Sequence, residues 1–214
     1  MKTPATPVFW DEAKDHLSRN DGRLKLLIAK YPQEEKLISR GAPFETLLRS
    51  IVGQQISVKA ADSIWKRFAQ AGWPMEKNPS PGKIQSLRDL QFRSSGISPQ
   101  KIKYIRDLTK HFLDETLKPS LWKTMSDEDV IADLCQVKGI GPWTAQMFSI
   151  FHLHRPDILP LADLGLQKAA SLLYKKPYPM NEKILVKLAK PWAPFRSVAT
   201  WYLWRSLDPI PVEY

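Results

Sequence analysis

The sequence predicts an all-α fold, and three observations carry that reading. Apolar residues recur at helical spacing through most of the chain, and no stretch alternates at period two for long enough to make a sheet. The 18 prolines fall mostly between the periodic segments and rarely inside them. The Ser98-Pro99 pair and the acidic run after Ser126 stand where helices would begin. Of the 214 residues, 43% are hydrophobic and 25% are charged, a balance typical of a folded globular chain.

Asp11 to Ser18 and Gly22 to Tyr31 read as two short helices, with Pro32 stopping the second. Pro43 opens a third, in which Phe44, Leu47, Leu48, Ile51 and Val52 share one face until Gly53-Gln54-Gln55 breaks the pattern. Ser57 caps the next, whose buried stripe is Val58, Ala61, Ile64, Trp65 and Phe68. From Gly72 to Gly82, Pro74, Pro79 and Pro81 mark a loop. Ser98-Pro99 supplies an N-cap and a first-turn proline for a helix that turns Ile102, Ile105 and Leu108 inward. Ser126-Asp127-Glu128-Asp129 places acid in the first turn of a helix reaching Cys135, as the helix dipole favours. Further helices are expected from Pro142 to His152, Asp163 to Tyr174, Asn181 to Ala189 and Phe195 to Leu207.

Lys and Arg total 32 against 22 Asp and Glu, a formal charge of +10. Such a surplus favours a polyanionic partner, either nucleic acid or an anionic membrane surface. No apolar run approaches the ~18 residues needed to span a bilayer, and MKTPATPVFWDEAKD lacks the apolar core of a secretory signal, so a cytoplasmic protein is expected. The single cysteine, Cys135, excludes an internal disulfide and a four-cysteine iron–sulfur cluster. His152 and His154 form H-x-H, but two positions apart on a helix they face different ways, which suits a helix-end surface feature better than a metal site.

The most informative segment is Val137-Lys138-Gly139-Ile140-Gly141-Pro142-Trp143-Thr144-Ala145. Two glycines flanking a branched residue permit a sharp turn with positive φ and close approach by another backbone. Pro142 then starts a helix whose free amide N–H groups point outward at its positive end, a ready phosphate site to which Lys138 adds charge. A plain connector before a helix has the same pattern. Gly96-Ile97-Ser98-Pro99 echoes Gly139-Ile140-Gly141-Pro142, so a tight turn feeding a helix N-terminus is used twice.

VKGIGPWTA resembles the hairpin of the helix–hairpin–helix DNA glycosylase superfamily, whose Gly/Pro-rich loop ends in an aspartate. Here that loop is Leu159-Pro160-Leu161-Ala162-Asp163, with Asp163 lying 22 residues after Gly141. FETLLRSIVGQQISVKAA (residues 44–61) is similar to the segment carrying the family's DNA-wedging turn, and FRSVATWYLWR (195–205) to its final helix. The resemblance runs from about residue 40 to 207 and is closest to the alkylation-repair branch, the DNA-3-methyladenine glycosylase II type. It implies a two-lobed helical fold with the active-site cleft between the lobes. One lobe would span residues 43–155, and the other 1–42 plus 156–214.

The resemblance also implies a monofunctional glycosylase that flips alkylated purines out of double-stranded DNA and hydrolyses the N-glycosidic bond, leaving an abasic site. Strand-nicking members carry a lysine where this chain has Trp143, and the iron–sulfur cysteines are missing. Asp163 becomes the catalytic candidate, though its place before a helix equally suits an N-cap. Trp143, Trp204, Met147, Leu164 and Trp201 would form the base pocket. DNA contacts are implied for Gly139, Ile140, Gly141, Lys138 and Thr144 at the hairpin, for Gln54 and the wedge Gln55, and for Ser98 and Lys101 at the earlier turn. No cofactor is expected beyond a Na+ or K+ ion on the backbone carbonyls of Val137 and Ile140, and no partner besides DNA; the chain would act as a monomer. The rival readings are a glycosylase for oxidised or mismatched bases on the same scaffold, and a non-catalytic helix–hairpin–helix DNA-binding module.

Overall fold

The computed structural model describes residues 7–31, 37 and 41–207, and among these every regular element is helical. In order they are α1 (Trp10–Asn20), α2 (Gly22–Lys30), α3 (Pro43–Gly53), α4 (Val58–Gly72), α5 (Pro81–Ser86), α6 (Asp89–Ser94), α7 (Pro99–Leu113), α8 (Asp127–Leu134), α9 (Pro142–Phe151), α10 (Leu164–Tyr174), α11 (Glu182–Ala189), a 3-10 turn (Lys190–Trp192) and α12 (Arg196–Leu207). Pro32 lies outside the described residues.

Local chemistry explains most of the starts. Asp21, Ser57, Ser80, Ser98, Ser126, Asp163 and Asn181 each sit at an N-cap and accept a backbone N–H from the first turn. Prolines occupy the first turn of α3, α5 and α7. Two elements depart from expectation. The run expected to be loop through Gly82 already begins α5 at Pro81, because Ser80-Pro81 is the same cap and first-turn pair as Ser98-Pro99. Behind it, α6 forms where Gln91 accepts the Arg88 amide at 3.0 Å and donates to Ala71 O at 2.9 Å, a tertiary contact. Val58, expected in the buried stripe of α4, is exposed at the helix start, while Trp65 and Phe68 are buried.

The chain divides into two compact units, one of residues 40–148 and one of 1–39 with 149–214. In the first, α3 packs on α4 and α7, and α7 also on α5 and α6. An aromatic cluster of Trp65, Phe68, Trp73 and Phe92 fills one end, with Phe68 and Trp73 edge-on at 4.9 Å. In the second, α12 is buried on almost every side from Ser197 to Trp204, and α1, α2 and α10 surround it. The later boundary falls inside α9, not after residue 155, since the last turn of α9 is built into the second unit. The Arg155 amide donates to Ser149 O at 2.9 Å, and Phe151 stacks on Trp204.

Candidate active site and nucleic-acid interface

Asp163 is placed by a turn and held by a helix. The Asp163 amide donates to Pro160 O at 2.9 Å, closing the Pro160-Leu161-Ala162 turn, and the Gln167 side chain braces that turn through Leu161 O at 2.8 Å. The Asp163 side chain then caps α10, its Oδ1 accepting the Leu166 amide at 2.6 Å. The same oxygen accepts the Trp204 indole Nε1–H at 2.8 Å. Two donors converging on one oxygen fix the carboxylate's orientation in a setting that leaves Asp163 only 9% exposed.

The partner helix is itself clamped. Arg196, at the start of α12, makes a two-pronged ion pair with Asp157, both contacts 2.7 Å. Ser197 Oγ donates to Arg155 O at 2.6 Å and accepts the Ile158 amide at 3.0 Å. The loop leading to Asp163 is thus stitched to the helix that carries Trp204. Spacing alone gave no sign of this clamp. Gly165 was also missed: a Cβ there would lie 3.1 Å from Asp163 Oδ1 and 3.2 Å from Trp204 Cδ1, so the missing side chain makes room for the pair. A glycine in the first turn of a helix, where it costs about 0.5–1 kcal/mol relative to alanine, is the signal that could have found it.

The expected base-pocket residues separate on inspection. Trp204 is 7% exposed, and one ring face is covered by Phe151, with centroids 5.7 Å apart and planes 11° from parallel. Its indole supports Asp163 before it offers anything to a ligand. Trp201 is a core residue, edge-on to Trp10 at 5.3 Å and to Tyr202 at 5.0 Å, so its expected share in the pocket is withdrawn. Met147, at 1% exposure, likewise presents no surface, being on the inward face of α9. Leu164 is 64% exposed beside Asp163, and Trp143 is 40% exposed in the first turn of α9. Met147 and Trp143 belong to the unit of residues 40–148, and Asp163, Leu164, Trp201 and Trp204 to the other.

At the hairpin, Gly139 takes φ +87°, which an L side chain rarely adopts, and the Tyr104 ring fills the space a Cβ would need. Gly141 is used differently: its φ is not positive, and a Cβ there would meet nothing within 4 Å. Nothing inside the described residues demands glycine at 141, which leaves the turn's outer face open to a backbone or phosphate. Lys138 is exposed, with its amide donating to Asp107 Oδ2 at 2.8 Å and its ammonium 3.3 Å from Asp107 Oδ1. Ile140 and Thr144 are buried, so Thr144 contributes to packing and not to a surface contact.

In the turn after α3, Gln55 is exposed with φ +58°, and Gln54 donates from Nε2 to Gly139 O at 2.7 Å. Lys101 turns inward as well. Its ammonium donates to Val52 O at 2.7 Å, and burial lowers its pKa, so it is a fastening of α3 and not an outward DNA contact. Ser98 is exposed and caps α7 through the Lys101 amide.

His152 and His154 are half-buried beyond the end of α9, and His154 takes φ +54°. Burial, followed by the neighbouring His154, pushes His152 down to about 4, and burial lowers His154 as well, so the pair is neutral at physiological pH. Among the described residues no group of three or more His, Cys, Asp or Glu gathers to hold a metal, and no helix is long and apolar enough to cross a membrane.

Comparison with known proteins bears on the same residues. DNA-3-methyladenine glycosylase 1 of Schizosaccharomyces pombe is 33% identical over 204 residues, covering 91% of this chain and 86% of that protein. A solved structure of a Schizosaccharomyces pombe 3-methyladenine DNA glycosylase in complex with abasic DNA superposes with a TM-score of 0.78 at 29% identity, covering 91% of this chain and 96% of that one. A DNA-3-methyladenine glycosidase from Bacillus halodurans gives a TM-score of 0.80 at 37% identity, covering 91% and 88%. Residues 48–194, which include the Gln54 turn, the glycine hairpin and Asp163, match the model of the HhH-GPD superfamily base excision DNA repair proteins, and this chain belongs to that family.

Proposed function

We propose that the chain is a monofunctional DNA glycosylase of the DNA-3-methyladenine glycosylase II type, which removes alkylated purines from double-stranded DNA and leaves an abasic site. The observation that carries this reading is the Asp163 carboxylate, capping α10 and oriented by the Trp204 indole. As the N-glycosidic bond breaks, positive charge develops on the deoxyribose. An ionised carboxylate beside the sugar stabilises that charge more than it stabilises the substrate, or takes a proton from the water that adds to the sugar. A cationic alkylated purine leaves with the bonding electron pair and needs no strong general acid.

The nucleotide must be turned out of the duplex before this chemistry. Trp143 supports capture of the extruded base, since its half-open indole suits a cationic ring with a gain of about 0.5–2 kcal/mol. Its position, where nicking relatives place a lysine, also removes the amine a Schiff base would need. The open Gly141 and exposed Lys138 suit a backbone phosphate. The neutral carbonyls of Val137 and Ile140 have the donor chemistry of an alkali-cation site, and a carbonyl such as that of Val137, which accepts the Ile140 amide at 3.0 Å, carries two lone pairs. Such an ion would add positive charge at the hairpin.

A lesion panel tests the reading. The purified protein should release 3-methyladenine and 7-methylguanine from alkylated duplex DNA, and the strand should break only after alkali. Release of 8-oxoguanine or of mismatched bases in their place would move the activity to another branch, and binding without base release would reduce the chain to a DNA-binding module.

A further inference from the structure

The turn after α3 and the glycine hairpin are tied together by side chains that none of the chemistry above requires. Gln54 reaches across 85 residues of sequence to the carbonyl of Gly139, the residue whose φ of +87° shapes the hairpin. Helix α7 fastens both from behind with three residues spaced by one turn each. Lys101 holds Val52 O at the end of α3, the Tyr104 ring occupies the space a side chain at Gly139 would need, and Asp107 takes the Lys138 amide. Between these anchors Gln55 is held at φ +58°, a left-handed conformation that costs a residue with a Cβ about 1–3 kcal/mol and persists only when its surroundings impose it.

We infer that Gln54 is a positioning residue that couples the hairpin's grip on the DNA backbone to the insertion of Gln55 into the duplex. This inference rests on the glycosylase reading for its consequence, but not for its geometry. A half-buried amide donating to a carbonyl of the neighbouring turn adds little to stability in solvent, about 0.5–1.5 kcal/mol. It does fix the distance between the residue that would fill the vacated stack and the turn that would hold a phosphate. Loss of that bond leaves the hairpin anchored through Tyr104 and Asp107, so backbone binding should survive while insertion loses its aim. Misplacement of a group by an ångström can cost on the order of 100-fold in rate.

The test uses two variants of the full chain, Gln54→Met, which keeps length and loses the donor, and Gln54→Glu, which keeps shape and replaces the donor with an acceptor. Two readouts are taken: affinity for undamaged duplex, and fluorescence of 2-aminopurine placed beside an abasic-site analogue, which reports unstacking and needs no base release. Single-turnover release of methylated purine is measured in parallel. Both variants should bind undamaged duplex within about twofold of the parent, lose the fluorescence rise, and release base at least about tenfold more slowly. An unchanged fluorescence rise, or equal losses in duplex affinity and in unstacking, would overturn the coupling. If the parent protein releases no methylated base yet its fluorescence rise still depends on Gln54, the coupling stands and the glycosylase reading fails.

Discussion

The Trp204 indole N–H and the Leu166 amide meet on a single oxygen of Asp163, at 2.8 and 2.6 Å. A tryptophan on the last helix therefore sets the plane of a carboxylate that the loop before α10 delivers. Trp204→Phe keeps a ring to stack on Phe151 and removes the donor together with part of the buried indole volume. A buried hydrogen bond to a carboxylate contributes about 1.5–3 kcal/mol, so the melting temperature should fall by several degrees. Base release should fall about tenfold beyond any loss in affinity for abasic-analogue DNA, because orientation of the acid matters in the transition state. A single-turnover rate equal to that of the parent would remove the indole from any part in positioning Asp163.

Gly165 offers a cleaner separation of stability from activity. A Cβ at 165 crowds Asp163 Oδ1 at 3.1 Å and the Trp204 ring at 3.2–3.3 Å, while alanine favours the helix by about 0.5–1 kcal/mol over glycine. Gly165→Ala should leave the melting temperature within a few degrees of the parent and slow base release about tenfold. Thermal denaturation beside single-turnover kinetics checks both; a slowed rate accompanied by a collapse in stability would point to plain misfolding instead.

The two hairpin glycines should behave differently. At Gly139 an alanine faces both φ +87° and the Tyr104 ring, so Gly139→Ala should lose about 2–4 kcal/mol of stability. Gly141→Ala meets nothing inside the protein, and its stability should match the parent's. If DNA backbone approaches this face, the 141 variant should nonetheless bind every duplex sequence more weakly, which fluorescence anisotropy would register. Parent-like affinity in Gly141→Ala would place the phosphate elsewhere.

His152 predicts an acid sensitivity. Its pKa in the fold, about 4, lies below the ordinary 6.5, so the unfolded chain binds the proton more readily than the native one. The native state is therefore favoured above pH 6.5 and loses that advantage as the pH falls from 6.5 toward 4. With the half-open setting screened by solvent, the loss should be about 1–2 kcal/mol. Denaturant melts at pH 7 and pH 4.5 on the parent and on His152→Gln would show a smaller pH dependence in the variant; equal slopes would contradict the assignment.

Most of the fold was legible because its signals are local. A capping serine or aspartate next to a proline acts within one turn, and the apolar stripes need only a period of 3.6 residues. Where local rules failed, a distant partner or an unweighted signal decided the matter: Gln91 reaching Ala71 O fixes α6, and Ser80-Pro81 was hidden inside a run of prolines. The site divides in the same way. By itself Asp163 reads as the N-cap of α10, and only the resemblance of its loop to the glycosylase family singles it out; its bond to Trp204 joins residues 41 apart, and spacing carries no such address. Lys101 and Thr144 look like DNA contacts by type, yet Lys101 is spent on Val52 O and Thr144 is buried, because a side chain's direction depends on the packing behind it. Gln54 shows the converse, a polar turn residue whose partner lies on another turn entirely.

In the proposed reaction Asp163 is the group that meets charge developing on the sugar. Asp163→Asn keeps an oxygen to cap α10 and to accept from Trp204, so folding and binding to abasic-analogue DNA should hold. Release of methylated purines in single turnovers should drop by about 100- to 1,000-fold, the scale on which one preorganised electrostatic group acts. A variant that releases 3-methyladenine at the parent's rate would contradict the central claim outright.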